Sequence, residues 1–457
     1  MEQYALRNKY PEFVFESFKV EQDFSGISIQ YVYKLGEHIF TPSVKIPAES
    51  IRNQEINDEF LEYLCFNFGI INAINYYKLT CAPKFVIRAG NINDEQKAFF
   101  KKLFYNGLGE FMYVNNLNLA SSDFMEIVCD ETPSETPHFE IGNNFHGNII
   151  TVGGGKDSIV ALETLQPVHN DNLCMQYNRN IYPQNQAALD SIHVAGYPTS
   201  SIINFNLTLD PLMLQLNQMG YYNGHIPFSS CLAFATIIMA YLNNKQYVVL
   251  SNESSANEGN TINGAGEMIN HQYSKSYEFE KDFQDYCKKY LTDKIFYFSL
   301  LRPLNEYEIV QRFLRNRLYL PVFRSCNVGT KQNAWCGHCA KCLYVYIMLY
   351  PHVPVGELDH IFGHNLLDDP TLMPIFQGLI DPDTTKPFEC VGTKEEINYS
   401  LKLAIEQADD LPFLLQQYKL VHYNPMQQFA VENYYDANHS VPEQFLKLLF
   451  VTYGNKH

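Results

Sequence analysis

Three glycines followed by Lys, Asp and Ser (Gly153-Gly154-Gly155-Lys156-Asp157-Ser158) leave few options for the fold around them. The loop follows the β-rich run 148–152 and opens a helical pattern that stops before Pro167. Glycines at a strand-to-helix junction let backbone N–H groups close on an anion, and the helix amino terminus adds the positive end of its dipole. Lys156 adds a cation and Ser158 a hydroxyl donor. Asp157 is at odds with phosphate unless it orders Mg²⁺, whose ligands are carboxylate and phosphate oxygens. The plain alternative is a glycine-rich turn. Further β-rich runs at 173–177, 201–205 and 247–250 alternate with helical stretches, which predicts βαβ units around a parallel sheet.

Upstream, 13–15 and 27–33 read as strands, and 59–77 carries Phe60, Leu64, Phe68, Ile71 and Ile74 at helical spacing. Between Cys129 and Gly147 the acidic text DETPSETPHFEIGNN loses periodicity and marks a linker. The expected organisation is α/β: an α+β domain over 1–128, a linker over 129–147, a parallel-sheet domain over 148–352 and a mostly helical region over 353–457. The apolar run 231–242 falls short of the ~20 residues of a membrane span, so it reads as a core helix. The amino-terminal text lacks the apolar core of a secretory signal. A cytoplasmic protein with no membrane insertion is therefore expected. Hydrophobic residues at 46% can fill large cores, which excludes a wholly disordered chain. The net charge of −17 repels phosphate backbones and excludes a general nucleic-acid partner, while leaving room for a small basic pocket.

Four of the eleven cysteines, Cys326, Cys336, Cys339 and Cys342, form C-x9-C-x2-C-x2-C. Such short spacings let thiolates converge on one ion, and four thiolates in a tetrahedron suit structural Zn²⁺. Lys341, Arg324 and Lys331 can offset the thiolate charge, and His338 could replace one ligand. A redox C-x-x-C would leave the other cysteines redundant, and the bland alternative is four reduced cysteines packed as small hydrophobes.

Aligned as a Walker A loop, the glycine run fails at Ile150 and Asp157; as a dinucleotide fingerprint it fails at Ser158. It resembles the S-G-G-x-D-S loop of enzymes that split ATP into AMP and pyrophosphate, with Gly153 in place of the first serine. That resemblance implies a PP-loop core of the adenine nucleotide alpha hydrolase-like kind. A similar cysteine cluster follows this domain in 7-cyano-7-deazaguanine synthases. Four stretches, 223–227, 251–260, 270–276 and 301–306, are too polar for core. The second follows a strand of the expected sheet, where ligands of open α/β sheets bind. Each residue there could be a cap or a loop hydrogen bond. Together they suggest a site lined by Glu253, His271, Lys275 and Arg302.

The ordered segments GGGKDS, NGHIP, SNESSANEGN, NHQYSKSYEFE, SLLRPLNEYEI, WCGHCAKC, IFGHNLL and KPFECVG are similar to the UDP-N-acetylmuramoyl-L-alanyl-L-glutamate epimerase family (MurL type). YKLGEHIF and NGLGEFMYVNNLN fit as well, so the resemblance covers nearly the whole chain. It implies an isomerase of peptidoglycan precursor synthesis that uses ATP to invert the terminal glutamate of UDP-MurNAc-L-Ala-L-Glu. Two acid/base groups on opposite faces of the carbon are then expected. His271, Glu253 and Lys275 are the candidates, with Arg302 gripping a substrate carboxylate. Other readings stay open: a carboxylate-adenylating ligase, such as a deazaguanine synthase-like enzyme, or a nucleotide-sensing module without turnover. An amidotransferase is disfavoured by Glu2, which leaves no amino-terminal cysteine. The oligomeric state stays open too.

Overall fold

A computed structural model describes residues 4–131, 137–264 and 266–451; residues 132–136 of the expected linker lie outside it, as do both chain ends. Alternating inward aromatics at Phe13, Phe15, Tyr31 and Tyr33 build the first strands, because period-2 side chains reach one face of a pleated sheet. β1 (Glu12–Asp23), β2 (Gly26–Leu35), β3 (His38–Phe40) and β4 (Ser43–Pro47) pair antiparallel. β5 (Lys84–Ile87) and β6 (Glu126–Cys129) extend this sheet in parallel from β1. The later strands are β7 (Asn148–Thr151), β8 (Asn172–Arg179), β9 (Ile202–Thr208) and β10 (Tyr247–Leu250). After a small hairpin of β11 (Thr261–Ile262) with β12 (Met268–Ile269) comes β13 (Phe296–Ser299).

β13, β10, β7, β8 and β9 lie side by side in that order, all parallel, as the strand–helix alternation predicts. Both faces are covered, which explains their near-continuous hydrophobicity. Ile149, Leu173, Met175, Val248 and Tyr297 point into one core, while their neighbours Ile150, Cys174, Val249 and Phe298 point into the other. The first core holds helices Asp58–Asn72 and Phe228–Tyr241. The second lies under helices Lys156–Thr164, Glu306–Phe313 and Ala340–Leu349 and the carboxyl-terminal helices. Helix Phe228–Tyr241 is apolar all round because it is sandwiched, with Tyr241 edge-on to Phe60 at 4.8 Å. No helix among the described residues is long and apolar enough to cross a membrane.

β4 pairs antiparallel with β9, Ser43 opposite Thr208 and Lys45 opposite Asn206. The sheet is therefore continuous over eleven strands, from residues before the expected linker into residues after it.

Candidate active site

Three adjacent parallel strands each deliver one acid. β7 leads through the glycine loop to Asp157, β10 leads to Glu253, and β13 leads through residues 300–305 to Glu306. Their carboxylate oxygens lie within 4.8 Å of one another, beyond the carboxyl ends of the strands. The loop is fixed by its own hydroxyl: Ser158 Oγ accepts from Gly154 N (3.2 Å) and donates to Gly155 O (3.0 Å). Gly154 has φ +81°, and a Cβ there would meet Ala188 N at 2.6 Å. Helix Lys156–Thr164 has no side-chain cap, so its first N–H groups face the loop.

Lys156 is buried, with its ammonium ion-paired to Asp157 and Glu306. Burial raises Glu253, and the Glu306 and Asp157 carboxylates add to it, taking it to about 7. Glu396 caps its own helix through Thr393 and accepts from Glu306 N (2.6 Å) and Ser255 Oγ (2.9 Å), tying the carboxyl-terminal region to this cluster. As an all-oxygen set, Asp157, Glu253 and Glu306 suit a hard divalent cation.

Beyond Glu253 the polar groups continue. The Lys275 ammonium donates to Cys390 Sγ at 3.2 Å, and the His271 imidazole acts electrostatically on the same sulfur. His271 Nδ1 is bonded to Glu110. His225 lies 4.2 Å from His271, ring centre to ring centre, and 3.7 Å from the same Glu110 carboxylate. Burial opposes charge on His271, but its interactions with Cys390 and Glu110 outweigh it and bring it up to about 9. Burial, with the neighbouring His271, pushes His225 down to about 3, so its imidazole is neutral. Burial would raise the Cys390 thiol; the Lys275 ammonium and the His271 imidazole bring it down to about 5.

Glu253, His271 and Lys275 are thus brought together, as the polar stretches suggested. Arg302 is placed differently. It has no exposed surface, and it donates to Glu253 O (2.6 Å), Lys275 O (2.6 Å) and the Glu280 carboxylate (3.0 Å). With both terminal nitrogens engaged it cannot grip a substrate carboxylate; it fixes the two segments that carry Glu253 and Lys275. Glu110, His225, Glu306 and Cys390 were not singled out as site residues from the sequence. All four fall inside NGLGEF, NGHIP, RPLNE and KPFECVG, the segments that carried the family resemblance, and that was the available signal.

The four cysteines of the cluster also converge. Their Sγ atoms stand 3.5 Å (Cys339–Cys342), 3.6 Å (Cys336–Cys342) and 3.8 Å (Cys326–Cys339) apart. A tetrahedron of ~2.3 Å Zn–S bonds has edges of about 3.8 Å. Gly329 N donates to Cys326 Sγ at 3.2 Å, as a thiolate in a tight knuckle favours. A separate polar cleft of about 430 Å³ opens at the ends of β8 and β9, beside Asn178, Arg179, Asn204 and Asn206.

Carboxylates, imidazoles, ammonium groups and a thiol are gathered beyond the parallel sheet of an α/β fold. Family models of the MurL N-terminal domain and the MurL C-terminal domain match residues 5–300 and 322–425. The chain belongs to the MurL family. Among similar curated proteins are three named UDP-N-acetyl-alpha-D-muramoyl-L-alanyl-L-glutamate epimerase. The one from Xanthomonas oryzae pv. oryzae is 33% identical over 346 residues, 74% of each chain. That from Salinispora tropica is 33% identical over 380 residues, 82% of this chain and 80% of the relative. That from a Micromonospora species is 32% identical over 380 residues, 81% of each.

Proposed function

We propose that this protein is an ATP-dependent epimerase that inverts the terminal L-glutamate of UDP-MurNAc-L-Ala-L-Glu, releasing AMP and pyrophosphate. The observation that carries the reading is the placement of the glycine loop and three acids directly beside a line of tuned acid/base groups. Relatives named for this epimerisation supply the substrate. A free carboxylate makes the neighbouring Cα–H very weakly acidic; adenylation removes that charge and creates an electron sink. A side-chain base can then take the proton, and return of a proton on the other face followed by hydrolysis gives the D-product.

Backbone N–H groups of the loop Gly153–Gly155 and of the uncapped helix terminus receive the phosphates, with the Ser158 hydroxyl holding Gly154 and Gly155 in the shape that exposes them. Asp157 and Glu306 would hold Mg²⁺, which offsets phosphate charge when bound. Lys156, held between Asp157 and Glu306, tempers the repulsion among the acids. His271, Glu253 and Lys275 are the proton-transfer candidates, and Arg302 positions two of them. Cys326, Cys336, Cys339 and Cys342 would bind structural Zn²⁺.

Incubation with ATP, Mg²⁺ and the dipeptide substrate should yield AMP, pyrophosphate and D-glutamate on hydrolysis. Asp157→Ala and Ser158→Ala should lose pyrophosphate release. ADP and orthophosphate as primary products would overturn the loop assignment, and glutamate that stays L under every condition would overturn the epimerase reading.

A further inference from the structure

Cys390 stands apart from the other cysteines. Cys326, Cys336, Cys339 and Cys342 face one another, Cys65, Cys81, Cys174, Cys231 and Cys287 are buried in the cores, and half-buried Cys129 packs against the first core. Cys390 is partly exposed and surrounded by polar groups from four segments. The Lys275 ammonium lies 3.2 Å from its sulfur, Lys341 donates to its backbone carbonyl, and the His271 imidazole acts electrostatically on the same thiol. Glu389 flanks it in sequence, and behind His271 stand Glu110 and His225. The segments that carry Lys275 and Glu253 are tied together by Arg302, which donates to the backbone carbonyl of each. A half-buried cation and an imidazole acting on one sulfur are what stabilises a thiolate. Nothing in packing requires that arrangement, since a structural thiol does best among apolar neighbours.

We propose that Cys390 is one of the two groups that exchange the glutamate Cα proton, with His271 and Lys275 acting through it as positioning residues. This rests on the epimerisation reading above. In the step, the sulfur takes the proton from Cα: the C–H bond breaks, an S–H bond forms, and the C–H electron pair moves into the adenylated carboxyl. A second acid on the opposite face of the carbon then delivers its own proton, as inversion requires. Lys275 is thereby the counter-ion of the sulfur and not itself the base. His271, tied to Glu110 through Nδ1, orients the sulfur and gives its proton a way back to solvent.

The test uses the full-length protein in D₂O with ATP, Mg²⁺ and UDP-MurNAc-L-Ala-L-Glu. Cys390→Ala and Cys390→Ser should keep substrate-dependent pyrophosphate release while losing deuterium uptake at Cα and inversion by ~10²–10⁴-fold. Two variants of different polarity, with circular dichroism of each, separate loss of chemistry from loss of fold. Lys275→Met should shift the pH profile of Cys390 alkylation by iodoacetamide, read by peptide mass spectrometry, toward higher pH; a purely structural lysine would leave that profile in place. Undiminished exchange in Cys390→Ala overturns the proposal alone. So does an acyl group trapped on Cys390 under ATP, which would make the sulfur a nucleophile. Absence of ATP-dependent exchange in the wild type overturns the epimerisation reading and this proposal with it.

Discussion

Arg302 carries its charge where water does not reach, and Glu280 is its carboxylate partner. Removing one member of a buried pair strands the other, which costs about 3–5 kcal/mol. Arg302→Met should therefore lower the unfolding free energy by that order in urea titration. His271 and Glu110 give a pH-dependent counterpart. Against burial, Cys390 first and Glu110 second raise His271 from 6.5 to about 9, so their joint contribution, Glu110's share included, is complete below pH 6.5 and lost as pH rises through 9. The urea stability gap between wild type and Glu110→Gln should accordingly be wide at pH 6 and narrow by pH 10. Neither role was legible in the sequence. Arg302 reads there as a free cation, because its partner Glu280 lies 22 residues away. Glu110 reaches His271 across 161 residues and Cys390 reaches Lys275 across 115, so no local pattern links them. Residues 153–158 were legible because they are consecutive.

Elements were easier to read than their partners. The strands β7, β8, β9 and β10 fall where the β-rich runs lay, since a sheet covered on both faces leaves a continuous hydrophobic signature. The β11–β12 hairpin was missed: two residues per strand carry too little periodicity. The turn from β7 into helix Lys156–Thr164 tolerates little change. Gly154→Ala meets both a left-handed φ and the backbone of Ala187 and Ala188, so a loss of about 1–3 kcal/mol is expected, together with weaker nucleotide binding by calorimetry. The knuckle preceding helix Ala340–Leu349 should hold close to one Zn²⁺ per chain by elemental analysis. Cys339→Ser should reduce both metal content and folded yield; a fully folded, metal-free wild type would refute that site.

Across the whole molecule, the site is assembled from distant parts of the chain: Glu110 early, Asp157, Glu253 and His271 centrally, Cys390 and Glu396 late. The pairing of β4 with β9, which joins strands from before and after the expected linker, has no signature in either strand alone. That pairing has a consequence for synthesis. A chain emerging from the ribosome completes β1 to β4 long before residues 202–208 exist, so Val44 and Ile46 wait beside an unmatched edge for more than 150 residues of translation. Nascent chains stalled before β9 should be protease-sensitive around 43–47, and those stalled well after it should be protected. Protection at the shorter length would show that the early strands mature alone.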